Sequence, residues 1–168
     1  MRTVRVIATG GTVEKVYDEI SEKFIFVDSL GVEETIKECL RQDFLFSRVM
    51  RKDSLDMGAV DRTRILEALD EVQESSVLVV HGTSTMTDTA EFILDAEASS
   101  SEKTIVFTGS LYPAELRKPE TFFNLGLGFS AALLLPPGVY IAMHGSVLPA
   151  GKILKDRSSG TFLPEGEM

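Results

Sequence analysis

The chain has 168 residues, with 17 basic and 26 acidic side chains, a net charge of −9 and 43% apolar residues. This length suits one domain with a sizeable core, and the acidic balance argues against electrostatic binding to nucleic acid or anionic membranes. Cys39 is the only cysteine, which excludes an intramolecular disulfide and a cysteine-based metal site and favours a reducing compartment such as the cytoplasm.

In chain order, MRTVRVIATGGT opens on a brief apolar run with no long hydrophobic region or small-residue cleavage site. Residues 4–8 therefore read as a first strand and not a signal peptide. Residues 17–26 mix charge with Phe24, Ile25 and Phe26, a pattern that suits either a lid or a plain hairpin. A helix is expected over 32–40 and a weaker strand over 45–50. Over 62–72, Ile65, Leu66, Leu69 and Val72 share one helical face. A strand over 77–80 is followed by a helix over 86–96, a polar loop over 98–102 and a strand over 104–107. Residues 122–135 form an apolar helix with Gly126 and Gly128 inside, read as close-packing positions, and Pro136-Pro137-Gly138 stops it. A strand over 139–142 and a hairpin over 146–155, with Pro149-Ala150-Gly151 at its tip, complete the readable elements. The tail over 158–168 has no legible element and is expected to be mobile. The longest apolar stretches are far too short to span a bilayer.

The strand runs are nearly continuous in apolar character, as in strands buried on both faces. Their alternation with helices implies right-handed βαβ units in a single domain over 1–168. The expected fold is a three-layer α/β/α sandwich with a mainly parallel sheet of flavodoxin or Rossmann-like topology, plus a β-hairpin.

Ligands of open parallel sheets bind outside the carboxyl ends of the strands. Three polar, glycine-bearing clusters fall there: Thr9-Gly10-Gly11-Thr12, His81-Gly82-Thr83-Ser84-Thr85 and Thr108-Gly109-Ser110. Glycine lets the backbone approach a ligand, and hydroxyls supply nucleophiles or hydrogen-bond donors. One such loop is no more than a turn with a helix cap; three on one sheet edge argue for a site. The spacings of a phosphate loop and of a dinucleotide fingerprint are absent, as are a G-x-S-x-G elbow and any metal-ligand spacing. His81 and His144, both at strand ends, are read as structural. A hydroxyl nucleophile needs a base, and a tyrosine or a neutral lysine can serve. Tyr17, five residues beyond Thr12, and Lys155 are the candidates.

The motifs ATGGTVEK, HGTSTMTDTA, GSLYP with FNL downstream, and SVLPAGKILK resemble, in order, those of the bacterial-type L-asparaginases. The resemblance covers nearly the whole chain. Familiar members carry a second, C-terminal domain, whereas this chain ends where that connector would begin, so it resembles the short single-domain form. The resemblance implies hydrolysis of asparagine to aspartate and ammonia, without metal or organic cofactor. It makes Thr12 the primary nucleophile, Tyr17 its activating neighbour, Thr83 a second catalytic threonine and Lys155 the lysine that assists it. The N–H groups around Thr83 are the candidate oxyanion donors. Gly11, Ser54, Leu55, Gly82 and Ser84 are the candidate substrate-binding positions, with Ser54 on the α-carboxylate. A small-molecule substrate, no nucleic acid or membrane partner, and a homo-oligomer, with a dimer favoured, complete the expectations.

Two positions depart from the family pattern. A glutamine commonly follows the serine, where Leu55 stands, and an aspartate follows the second threonine, where Ser84 stands. Both positions help hold the substrate's α-ammonium in the family. Three explanations compete: an anion supplied from elsewhere, such as a partner subunit; a carboxamide substrate without an α-ammonium; or a weakly active, ligand-binding member of the fold.

Overall fold

The computed structural model describes residues 2–28, 31–96 and 102–166. Strand β1 (Val4–Gly10) leads through a 3-10 turn over Thr12–Glu14 into a hairpin of β2 (Lys15–Asp18) and β3 (Lys23–Phe26). Helix α1 (Val32–Cys39), strand β4 (Phe44–Lys52), helix α2 (Ala59–Glu71) and strand β5 (Ser76–Val80) follow. Helix α3 (Met86–Asp95), strand β6 (Thr104–Thr108), helix α4 (Pro119–Leu134) and strand β7 (Gly138–Met143) complete the alternation. The chain closes with β8 (Ser146–Pro149), β9 (Ile153–Lys155) and β10 (Phe162–Pro164). Most of the loop expected over 98–102 lies outside the described residues.

The main sheet has six strands in the order β4-β1-β5-β6-β7-β8, parallel except for β8. Its central strands are apolar at nearly every position because each face meets helices. Val77 and Val79 of β5 point to α2 and α3, with Ile65, Leu69, Met86 and Ile93. Leu78 and Val80 point to α1 and α4, with Ile36, Leu125 and Phe129. Each such side chain contributes about 1.5–3 kcal/mol on full burial, so this layering is the main source of stability. Gly128 lets α4 approach the sheet, since a Cβ there would sit 2.8 Å from Leu78 Cδ1, whereas nothing lies within 4 Å of a Cβ at Gly126. The close-packing reading therefore holds for Gly128 and fails for Gly126. Among the described residues no helix is long and apolar enough to cross a membrane.

The expectation of uniformly right-handed units needs correction. The chain steps from β5 to β6 through α3 on one face and from β6 to β7, in the same direction, through α4 on the other. The β6–α4–β7 crossover therefore has the opposite hand to β5–α3–β6, against the usual rule. Its consequence is local: the segment leaving β6 turns toward the face of α1, where Glu115 accepts a hydrogen bond from Tyr17 N–H on the β2–β3 hairpin.

The hairpin expected over 146–155 does not form. Ser146–Pro149 instead pairs with β7 through a two-residue turn at His144-Gly145, and Ile153–Lys155 pairs with β10. His144 (φ 52°) and Gly145 (φ 91°) supply the two positive φ values that a tight hairpin requires, and Asn124 Oδ1 accepts the His144 N–H at 2.9 Å. The tail likewise contains an element, since β10 lies within it and buries Phe162 in the core. Residues 17–26 are largely the β2–β3 hairpin.

Candidate active site

The sheet order places β1 between β4 and β5, so the chain leaves β1 toward one edge and returns to β5 on its other side. Crevices form at such switch points, and here the turns after β1, β4 and β5 meet. Gly11 N–H donates to Lys52 O at 2.9 Å. A Cβ on Gly11 would lie 2.5 Å from Gly82 Cα, and one on Gly82 would lie 2.6 Å from Ser54 Oγ. Glycine is needed at both positions because backbone or a buried hydroxyl occupies the space. Gly109 abuts the same cluster, its own hypothetical Cβ 2.3 Å from His81 O. The three sequence clusters thus share one sheet edge.

Lys155 reaches this edge from β9. Ile153 and Phe162 anchor the β9–β10 pair in the core on the α3 side of the sheet, which brings Lys155 to the turn that precedes α3. Lys155 Nζ donates to Thr83 Oγ1 at 2.8 Å. Burial, with a contribution from the Arg157 cation, pushes the ammonium below the ordinary lysine range. Among the described residues Lys155 has no carboxylate within ion-pair distance, and its ammonium also lies over the face of the Phe162 ring. The absence of an aspartate at Ser84 is consistent with that unpaired state.

Ser54 is buried, and its Oγ lacks a hydrogen-bond partner among the described residues. An unpaired buried hydroxyl is costly unless a ligand satisfies it. Its carbonyl holds the neighbouring turn through Thr85 Oγ1 at 2.7 Å. Leu55, by contrast, is 64% exposed. Thr12 and Ser84 are half-buried. Tyr17 is 48% exposed, with its ring edge-on to Phe24. Among the described residues the hydroxyls of Thr12, Tyr17 and Ser84 make no hydrogen bond. The structure therefore joins Thr83 to Lys155, and Gly11 to Gly82 and Ser54, but makes no hydrogen bond between Tyr17 and Thr12.

His81 is wholly buried. Its Nδ1–H donates to Gly82 O at 2.7 Å, while Nε2 has no partner among the described residues. Burial holds the ring neutral and lowers its pKa to about 4. The structural reading of His81 fits this fixed tautomer. His144 belongs to a separate network in which Glu120 accepts from Ser110 Oγ, Asn124 Nδ2 and His144 Nε2. No cluster of three or more His, Cys, Asp or Glu side chains among the described residues could hold a metal ion.

Sequence reading missed Asp53 and Lys15. Asp53 Oδ1 accepts from Leu55 N–H at 3.0 Å and Oδ2 from Lys15 Nζ at 2.5 Å. The first contact is a readable cap on the turn Ser54–Asp56; the second joins residues 38 positions apart.

The fold and site define a parallel α/β domain with two threonine-bearing turns and a lysine at its switch point. The family model described as Asparaginase, N-terminal, matches residues 3–162, and the chain belongs to the asparaginase family. Solved structures agree on the fold. The thermostable L-asparaginase from Thermococcus kodakarensis superposes with a TM-score of 0.77 at 22% identity, over 96% of this chain and 51% of that one. L-asparaginase I from Vibrio cholerae gives 0.77 at 22% identity, over 98% and 52%. A probable cytoplasmic L-asparaginase from Campylobacter jejuni gives 0.77 at 20%, over 99% and 54%. The chain spans about half the length of these proteins.

Proposed function

We propose that the chain is a cytoplasmic amidohydrolase that cleaves the side-chain amide of L-asparagine to L-aspartate and ammonia through a threonine acyl-enzyme. The observation that carries this reading is the 2.8 Å bond between Lys155 Nζ and Thr83 Oγ1, made by a lysine whose proton is easier to lose than usual. Neutral Lys155 takes the proton of a threonine hydroxyl as its oxygen attacks the amide carbon. The carbonyl becomes an oxyanion held by N–H groups around Thr83. Collapse of this intermediate breaks the C–N bond, and the proton leaves with ammonia. Water then attacks the ester, releasing the acid and restoring the hydroxyl.

Family resemblance assigns the attack to Thr12, with Tyr17 beside it, and gives Thr83 and Lys155 the proton transfer. A second reading makes Thr83 the nucleophile, favoured because Thr83 alone of the two hydroxyls has a base in place. Ser54 Oγ is the proposed partner of the substrate's α-carboxylate, with Gly11 and Gly82 allowing its approach and Ser84 and Leu55 near the α-ammonium. Mass spectrometry of enzyme quenched with a slow ester or amide tests the choice. An acyl group mapped to Thr12 supports the first reading, and one mapped to Thr83 the second. A homodimer is the proposed assembly, and sedimentation of the purified chain tests it.

A further inference from the structure

A continuous set of hydrogen bonds links the turn of Thr12 to the turn of Ser54. Lys15 N–H donates to Thr12 O and closes the first turn. Lys15 Nζ donates to Asp53 Oδ2 at 2.5 Å, and Asp53 Oδ1 accepts the N–H of Leu55, next to Ser54, at 3.0 Å. One carboxylate thus holds both turns. The pair is shielded, with side-chain exposures of 18% for Lys15 and 29% for Asp53, and the Lys15 ammonium also lies over the Phe26 ring. Partial burial pushes the Asp53 carboxyl up, but the bonds from Lys15 and Leu55 outweigh it and hold the group below the ordinary aspartate value. Glu14, the preceding residue, is tied in turn to Arg48 of β4 at 2.8 Å. Consecutive residues of opposite charge therefore fasten the Thr12 turn to β4 and to the turn after it.

We propose that Lys15 and Asp53 are positioning residues that fix the spacing between Thr12 and Ser54, and thereby select the length of the amide substrate. This rests on the assignment of Ser54 to the α-carboxylate and of Thr12 to the reaction centre. Asparagine and glutamine differ by one methylene between carboxylate and amide. A rigid spacing suited to the shorter substrate holds the longer one out of register, and misplacement of about 1 Å can cost about a hundredfold in rate. Releasing the pair relaxes that discrimination.

The test compares wild type, Lys15→Met, Lys15→Arg, Asp53→Asn and the Lys15→Met/Asp53→Asn double variant. It reads kcat/KM for asparagine and glutamine, and hydrogen exchange at the Leu55 amide. In Lys15→Met and Asp53→Asn the asparagine-to-glutamine ratio should fall about tenfold or more, while Lys15→Arg retains it. The double variant should resemble either single one, because the residues act as a unit. Leu55 exchange should quicken several-fold in Lys15→Met. An unchanged ratio in Lys15→Met, or a ratio that falls there but not in Asp53→Asn, overturns the proposal; the latter pattern means that Lys15 meets the substrate directly. Unchanged Leu55 exchange overturns the link between the turns whether or not the enzyme is active. A wild type that hydrolyses neither amide counts against the proposed function, and the exchange result still judges the link.

Discussion

Lys155 Nζ donates to Thr83 Oγ1 at 2.8 Å although the two residues lie 72 positions apart. The bond exists because β9 packs against the α3 side of the core, while the turn before α3 presents Thr83 at the end of β5. Burial of the lysine without a carboxylate partner lowers its pKa. Proton transfer by Lys155 needs its neutral form, so turnover should rise with pH through a value below the ordinary lysine range and fall as the ammonium forms. Lys155→Met should lower kcat by about a hundredfold to ten-thousandfold. Lys155→Arg should be similarly impaired, because guanidinium keeps the charge but gives up its proton only at very high pH.

His81 sets a stability window. Its pKa is about 4 in the folded protein, against 6.5 for an ordinary histidine. Between these values the unfolded chain binds more protons than the folded one, so stability falls as pH drops through the window. The loss is on the order of 3 kcal/mol by pH 4. Urea titrations from pH 7 to pH 4 should show this decline, with a flatter profile in His81→Gln.

The switch-point glycines and Gly126 of α4 should respond oppositely to alanine. Gly82→Ala drives a methyl onto Ser54 Oγ and Gly11→Ala drives one onto the Gly82 backbone. Each should cost about 1–3 kcal/mol and reduce activity further by separating the turns. Gly126→Ala meets nothing within 4 Å and should stabilise the chain by roughly 0.5–1 kcal/mol. Thermal melts of the three variants check the contrast.

Ser84 is the position at which the substrate question is tested. A carboxylate there would add a charge-assisted hydrogen bond to an α-ammonium, worth about 1.5–3 kcal/mol. Ser84→Asp should therefore lower KM for asparagine about tenfold or more, and leave an amide without the ammonium unimproved. It should also pair with Lys155 and raise the pH at which the rate climbs. Asparagine turnover that is already high and drops in Ser84→Asp contradicts this role.

The layers of the fold were legible because continuous apolar strands and 3.6-period helices need only local pattern, and residues 77–80 and 62–72 show both plainly. The C-terminal part of the chain was not, since Ser146–Pro149 and Ile153–Lys155 pair with other strands and the tail contains β10. His144-Gly145 lacks the familiar Asn-Gly signal, yet its two positive φ values turn β7 into β8. The glycine-rich clusters come together at one sheet edge, where Gly11, Gly82 and Gly109 each stand against another turn. Pairings across long separations left no local trace. Residue chemistry named Lys155 as a candidate base but only family resemblance tied it to Thr83, and the bond of Lys15 to Asp53 became visible only once β1 and β4 lay side by side.

Ammonia release from asparagine by the purified chain, measured for wild type and Lys155→Met with both shown folded by thermal melting, tests the central claim most directly. The account predicts ammonia and aspartate in equal amounts from wild type and a rate at least about a hundredfold lower in the variant. An undiminished rate in Lys155→Met, or no ammonia from wild type, would contradict it.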